Sequence, residues 1–281
     1  MKKPTILLIA ITLIFSCRTV FGQANKFPFD IQKTGRGKQN IIFIPGFASS
    51  GDVWKETRVA YESGFSCYTL TMAGFAGIPA QASPSFKNWE SAIAEYIQSE
   101  KIVKPIIIGH SMGGGLALAI AADYPELASK IVVVDALPCL AALMNPNFKT
   151  KENNDCAPMV AQMKSMAPDQ FEKMQLMSMR QLVADTSRIR SIVGWSVKSD
   201  MGTFAQMYCD FLNTDLRPVL EKIKCPALVL LEASFVNYKP AIDEQYKGLK
   251  TGQFAYATKG LHFIMYDDTA WYDQQLLNFI K

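Results

Sequence analysis

The sequence predicts an α/β protein built on a mostly parallel, doubly wound sheet, and three observations carry that expectation. Ile41–Ile44, Ile106–Ile108, Ile131–Val134 and Leu228–Leu231 are apolar at every position, as in strands buried on both faces. Stretches with helical spacing separate them, so strand and helix alternate and the strands must run mostly parallel. Around Gly109-His110-Ser111-Met112-Gly113-Gly114-Gly115 the pattern passes from strand to helix within about three residues, a turn tight enough to carry chemistry.

The first residues read as a leader rather than as part of the fold. Met1-Lys2-Lys3 followed by an apolar run from Ile6 to Phe15 has the charged and hydrophobic regions of a secretory signal, and the run is too short to span a bilayer. Val20 and Gly22 suit a peptidase cutting after Gly22, which makes residues 1–22 a signal peptide and the protein exported, to a periplasm or the outside. The alternative is a lipoprotein anchored at Cys17, although Phe15 is too large for that motif. Loss of the leader removes Lys2, Lys3 and Arg18, so the formal charge falls by three from +4 to +1. A near-neutral chain without a Lys/Arg cluster has no electrostatic footprint for nucleic acid.

Residues 23–281 suffice for a single large domain. Phe27 to Ile31 alternates like a half-buried edge strand, and Gly35-Arg36-Gly37 turns into a strand over 40–44 that ends in Pro45-Gly46-Phe47. A helix is expected over 52–61, a strand over 66–71, and an amphipathic helix over 86–99 with Trp89, Ile93, Tyr96 and Ile97 on one stripe. The glycine turn and a buried Ala/Leu-rich helix follow, then a strand over 130–135 that closes in Asp135. From about 137 to 216 no strand pattern occurs, and the stretch holds nine of the thirteen methionines. Pro158, Pro168 and Gly202 break it into several short helices. Strands return over 226–232 and 253–258, and a helix over 269–280 ends the chain.

After the leader five cysteines remain, at 67, 139, 156, 209 and 225, with no Cys-x-x-Cys pair, so metal binding is not expected. Export permits a disulfide, and Cys139 with Cys156 is the first pair to test because both lie in the strandless stretch. Buried free thiols are the alternative.

At the glycine turn, strain lifts the Ser111 hydroxyl clear of the sheet edge, and the helix that begins there leaves its first N–H groups, Met112 included, directed at that hydroxyl. Gly109 and Gly113 stand two places either side, where only small residues fit. This is a geometry for a nucleophile. The chain has two histidines; His110 points across the turn from Ser111, which leaves His262 as the base such a serine would need.

Gly109-His110-Ser111-Met112-Gly113-Gly114, Pro45-Gly46-Phe47 and Gly260-Leu261-His262-Phe263 together resemble the α/β-hydrolase family over nearly all the chain after the leader. The resemblance implies a serine hydrolase with Ser111 as nucleophile, His262 as base, and the Phe47 and Met112 N–H groups as oxyanion hole. It makes the 137–216 insertion a cap over the site and places Phe75 on a loop bordering the substrate pocket. The family's usual histidine before Gly46 is replaced here by Pro45. Its usual acid position, near Phe235, has no aspartate; some branches take the acid from the preceding strand end, here Asp135, with Glu232, Asp267 and Asp268 as alternatives. Serine at the elbow disfavours the branches with an aspartate nucleophile. The resemblance therefore implies hydrolysis of a small apolar carboxylic ester without metal or organic cofactor. A serine-dependent carbon–carbon bond hydrolase and a non-catalytic small-molecule binding protein are the other readings. The sequence carries no signal for oligomeric state.

Overall fold

The computed structural model describes residues 26–281; the expected leader, Cys17 and the cleavage point after Gly22 lie outside them. The first half runs β1 (Phe29–Thr34), β2 (Gln39–Ile44), α1 (Lys55–Tyr61), β3 (Phe65–Met72), α2 (Phe86–Ser99), β4 (Ile106–His110), α3 (Met112–Asp123) and β5 (Lys130–Val134). An insertion of four helices follows: α4 (Ala157–Lys164), α5 (Pro168–Leu182), α6 (Ile189–Val197) and α7 (Met201–Leu212). The chain returns to β6 (Ala227–Leu231), α8 (Lys239–Tyr246), β7 (Gly252–Tyr256), α9 (Ile264–Asp267) and α10 (Thr269–Ile280).

The strands form one sheet in the order β1-β3-β2-β4-β5-β6-β7, antiparallel only between β1 and β3. Side chains alternate across it, so each apolar strand feeds two cores. Ile42, Ile44, Ile107, Ile131, Val133, Val229 and Leu231 pack on one face with α2 and α3, whereas Ile41, Phe43, Ile106, Ile108, Val132, Val134, Leu228 and Leu230 pack on the other with α10. Helix α3 is buried from Met112 to Ala122, which explains its uniform Ala/Leu/Gly composition: a helix enclosed on every side has no polar face to keep. By contrast α2 buries Trp89, Ile93, Tyr96 and Ile97 and exposes Lys87 and Glu95, while its buried Glu90 is paired with Lys87 at 2.8 Å.

Two local features differ from the sequence expectation. The helix expected over 52–61 starts as a 3-10 turn, Gly51–Trp54, because Ser50 Oγ accepts the Asp52 N–H and Trp54 dips into the core. Helix α8 carries no periodic signal, since only Ile242, Gln245 and Tyr246 are buried. It nevertheless braces the exit from β5: Tyr246 Oη donates to the Ala136 carbonyl at 2.7 Å, and Gln245 Oε1 accepts the Cys139 N–H at 3.2 Å.

Within the insertion α4 packs along α7 and α5 along α6. This pairing corrects the cysteine assignment. Cys156 at the start of α4 is bonded to Cys209 in α7, while Cys139, Cys67 and Cys225 are buried free thiols. Cys139 lies before the insertion's helices, held by Gln245 under α8, and helix packing rather than closeness in sequence selects the partner. A cross-link spanning 53 residues removes about 4 kcal/mol of chain entropy from the unfolded state, and removing native disulfides costs about 2–5 kcal/mol. Cys156→Ser should therefore lower stability by about 2–4 kcal/mol in denaturant unfolding, and peptide mapping should recover a single 156–209 linkage. A 139–156 linkage, or unchanged stability, would contradict this assignment.

Candidate active site

The order of the sheet reverses direction between β2 and β4, and at the C-terminal ends of those strands the chain opens a crevice. Phe47 lies just past β2 and Ser111 just past β4, one on each side of it. Ser111 adopts φ 53° and ψ −122°, a conformation costing about 1–3 kcal/mol for a non-glycine residue. Close backbone contact enforces it. A Cβ on Gly109 would stand 2.0 Å from the Gly113 carbonyl oxygen, and one on Gly113 2.3 Å from that of Ile44. Neither the Met112 nor the Phe47 N–H has an acceptor among the described residues. Both donors are thus available beside Ser111.

Register brings the remaining groups to the same edge. His110 pairs with Val134 and Val134 with Leu230, and the ladder continues past the strands as Ser111 N–H to Val134 O (2.8 Å) and Asp135 N–H to Leu230 O (2.7 Å). Ser111, Asp135 and the start of the segment after β6 consequently stand in a row. His262 Nδ1 donates to Asp135 Oδ2 at 2.6 Å, and Asp135 Oδ1 accepts the Glu232 N–H at 2.7 Å. The Asp135 side chain is 1% exposed and that of His262 21%, so the acid is sealed and the imidazole opens on the crevice. With Nδ1 committed to Asp135, Nε2 is the His262 ring nitrogen that has no partner among the described residues.

The other carboxylates have different tasks. Asp267 accepts the Leu261 N–H at 2.9 Å and the Asp185 N–H at 2.8 Å, tying the histidine loop to the insertion. Asp268 accepts from the Thr258 hydroxyl at 2.7 Å and from the Thr258 N–H at 3.0 Å. The Glu232 carboxylate takes the Ser234 hydroxyl rather than His262.

His110 is buried and its Nε2–H donates to the His262 carbonyl at 2.9 Å, which leaves Nδ1 without a partner. Its ring lies 4.6 Å from that of His262 and 4.8 Å from that of Phe263. His110 therefore fixes the backbone of the histidine loop from beneath.

A cavity of about 400 Å³ opens over Ser111, His262, Phe47 and Glu232, with apolar walls that include Leu137, Leu140, Met179, Leu182, Phe211 and Phe235. Phe75, expected in that wall, is not there. It is fully buried behind Phe47, edge-on to both Phe47 and Trp89 at 5.2 Å, because its loop folds inward instead of over the crevice. Sequence reasoning missed Tyr208 and Phe211 of α7, whose helical spacing matches their buried neighbours. The Tyr208 ring packs tilted against that of Phe47, centroids 5.5 Å apart, and Tyr208 is 41% exposed, which marks the rim. Of the methionines, Met179 reaches the cavity and Met207 is buried in the core. Among the described residues no group of three or more His, Cys, Asp or Glu is arranged to hold a metal ion, and no helix is long and apolar enough to cross a membrane.

Comparison with known proteins decides the family, since the sequence profile of the α/β hydrolase fold matches residues 39–268. The chain belongs to the α/β hydrolase fold family. A pimeloyl-[acyl-carrier protein] methyl ester esterase of Wigglesworthia glossinidia brevipalpis is 23% identical over 72% of this chain and 76% of that one. Among solved structures, an enol-lactonase from Burkholderia xenovorans LB400 superposes with a TM-score of 0.72 at 14% identity, over 91% of this chain and 97% of the other. An esterase from Exiguobacterium antarcticum gives 0.72 at 16% identity, over 90% and 95%. At these identities the solved structures show a shared fold.

Desolvation by burial, and secondarily the nearby His262, hold His110 well below its ordinary 6.5. A histidine depressed in the folded state contributes stability that is full above about 6.5 and is lost as pH falls from there towards the folded value, by at most about 1.4 kcal/mol per unit. The thermal midpoint should therefore fall between about pH 7 and pH 5, and His110→Gln should flatten that slope whatever its stability at neutral pH. Parallel slopes in the two proteins would show that His110 does not carry the effect.

Proposed function

We propose that the protein is a serine hydrolase that cleaves a carboxylic ester through an acyl-enzyme. The observation that carries this reading is the 2.6 Å bond from His262 Nδ1–H to the sealed carboxylate of Asp135, at a cavity that also exposes Ser111. With Nδ1–H so held, Nε2 takes the Ser111 proton as Oγ attacks the ester carbonyl. The carbonyl electrons move to oxygen, where the Phe47 and Met112 N–H groups hold the oxyanion. Collapse expels the alkoxide, which takes the proton from His262. Water, deprotonated by the same nitrogen, then releases the acid and regenerates Ser111. The Asp135 carboxylate stabilises the imidazolium formed at each half-reaction.

The ester class is supported by the apolar walls and by the Wigglesworthia relative, which is named for a methyl ester. In this reading the insertion serves as a cap, since Met179, Leu182, Tyr208 and Phe211 close the cavity from above the sheet edge. The substrate is a small ester with an apolar acyl or alcohol part.

Ser111→Ala should lower turnover of short-chain nitrophenyl esters by about 10⁶ and abolish labelling by a fluorophosphonate. His262→Ala should be comparably inactive, and Asp135→Asn should lose about 10³–10⁴ with the fold retained, as circular dichroism would verify. Substantial activity in folded His262→Ala would sink the proposal, because buried His110 cannot replace it.

We also propose that the protein is exported. The leader pattern in residues 1–22 and the Cys156–Cys209 bond, which persists in an oxidising compartment, support this. N-terminal sequencing of protein from expressing cells should begin near Gln23; an intact Met1 would refute export, and a lipid on Cys17 would refute cleavage after Gly22.

A further inference from the structure

The cavity wall is unevenly charged. Besides Asp135, whose two oxygens are committed to His262 and to the Glu232 N–H, its one carboxylate among the described residues is Glu232, and no described lysine or arginine lines it. Glu232 is fixed in place by that backbone bond and by the Phe235 N–H, which donates to its carbonyl at 3.2 Å. The Ser234 hydroxyl occupies Oε1, and no described residue donates to Oε2. Burial raises the pKa of this carboxyl and outweighs the Ser234 hydroxyl, which lowers it; Asp135 acts with burial and His262 against it. A charge so placed, beside apolar Phe235 and short of donors, is best satisfied by a donor that the ligand brings.

Resting on the esterase reading, we propose that Glu232 selects substrates by charge: the cavity takes an ester bearing an ammonium, or another N–H or O–H donor, that meets Glu232 Oε2, and rejects an ester bearing a free carboxylate. The selection has two parts. A cation or donor gains a charge-assisted hydrogen bond in a site of low dielectric, and an anion meets Glu232 and Asp135 with no cation to neutralise it. No chemistry is assigned to Glu232 in bond breaking. It acts on the part of the substrate that does not react.

The test uses two ester series of matched length, one charged on the acyl chain and one on the alcohol, each with an ammonium, a neutral and a carboxylate member. The quantity read is the ratio of kcat/KM for the ammonium to the carboxylate ester within one protein, so any change in basal turnover cancels. In the wild-type protein the ratio should reach about tenfold or more in the series whose charged end faces Glu232. In Glu232→Gln, which keeps the shape and removes the charge, it should fall towards one. A wild-type ratio near one in both series overturns the proposal without recourse to any variant. So does a large ratio that Glu232→Gln leaves intact, or a uniform loss across all members, which would place Glu232 in the reaction itself. Failure of the esterase reading looks different, as no turnover of the neutral member and no labelling of Ser111. The same ratio is then read from dissociation constants of the corresponding amides, with the same expected and overturning results.

Discussion

The structure depends on two residues held in left-handed backbone conformations where adjacent parallel strands end. Ser111 has φ 53° and Asp135 φ 48°, both at positions where the chain must leave the sheet while a ladder bond to the next strand is still made. Left-handed backbone is costly for any residue with a side chain, although aspartate tolerates it better than most. What offsets the cost is collective. Helix α3 is enclosed from its first turn, and its close seat against β2 and β4 holds Ser111 in the strained turn. The same strain turns the hydroxyl outward and leaves the Met112 N–H without an acceptor, so a packing requirement and a chemical one are met by one conformation.

From that edge the rest of the site is assembled by tethers that cross between distant segments. Asp135 holds both the histidine and the first residue after β6, and Asp267 holds both the histidine loop and the Asp185 turn of the insertion. Phe47 reaches under α7, with its ring 4.6 Å from Phe204, while the disulfide binds α7 to α4. The wall of the cavity is therefore coupled mechanically to its floor. A change at the cross-link lies one residue from Tyr208 at the rim.

How far the sequence disclosed this depends on what kind of contact each element makes. Strands buried on both faces must be apolar throughout, and they were legible almost to the residue, as were Ser111 and His262, whose positions follow from a steric rule and from there being two histidines. The sequence pointed to Asp135 as the partner of His262 but left Glu232, Asp267 and Asp268 open, because choosing among them requires the register of β5 against β6 and the path of the histidine loop. Register shows that both stand at the same edge, with Asp135 reaching sideways to the imidazole and Glu232 turned into the cavity. Phe75 and the cysteine pair were misjudged for a related reason. Loop direction and helix pairing are set by packing between segments far apart in sequence, and an aromatic residue looks the same in a list whether it faces a cavity or a core. Helix α8 was invisible since its work is done by two polar groups, Gln245 Oε1 and Tyr246 Oη, rather than by an apolar stripe.

The two imidazoles show how the fold gives neighbouring groups of one type different surroundings. Their rings lie 4.6 Å apart, so a charged His110 would oppose the imidazolium that the proposed mechanism forms on His262. Burial prevents this, because His110 has no partner on Nδ1 and no solvent to take up its charge. It keeps the Nε2 proton, which anchors the His262 carbonyl, and so fixes the loop without competing for protons. His262 has the opposite surroundings: a carboxylate on one nitrogen and the open cavity at the other. Two residues of the same type, in contact and both near Ser111, are thereby set apart by burial and by hydrogen-bond partner: His110 is a buried strut, and His262 is the imidazole to which the proposed mechanism gives the proton transfers.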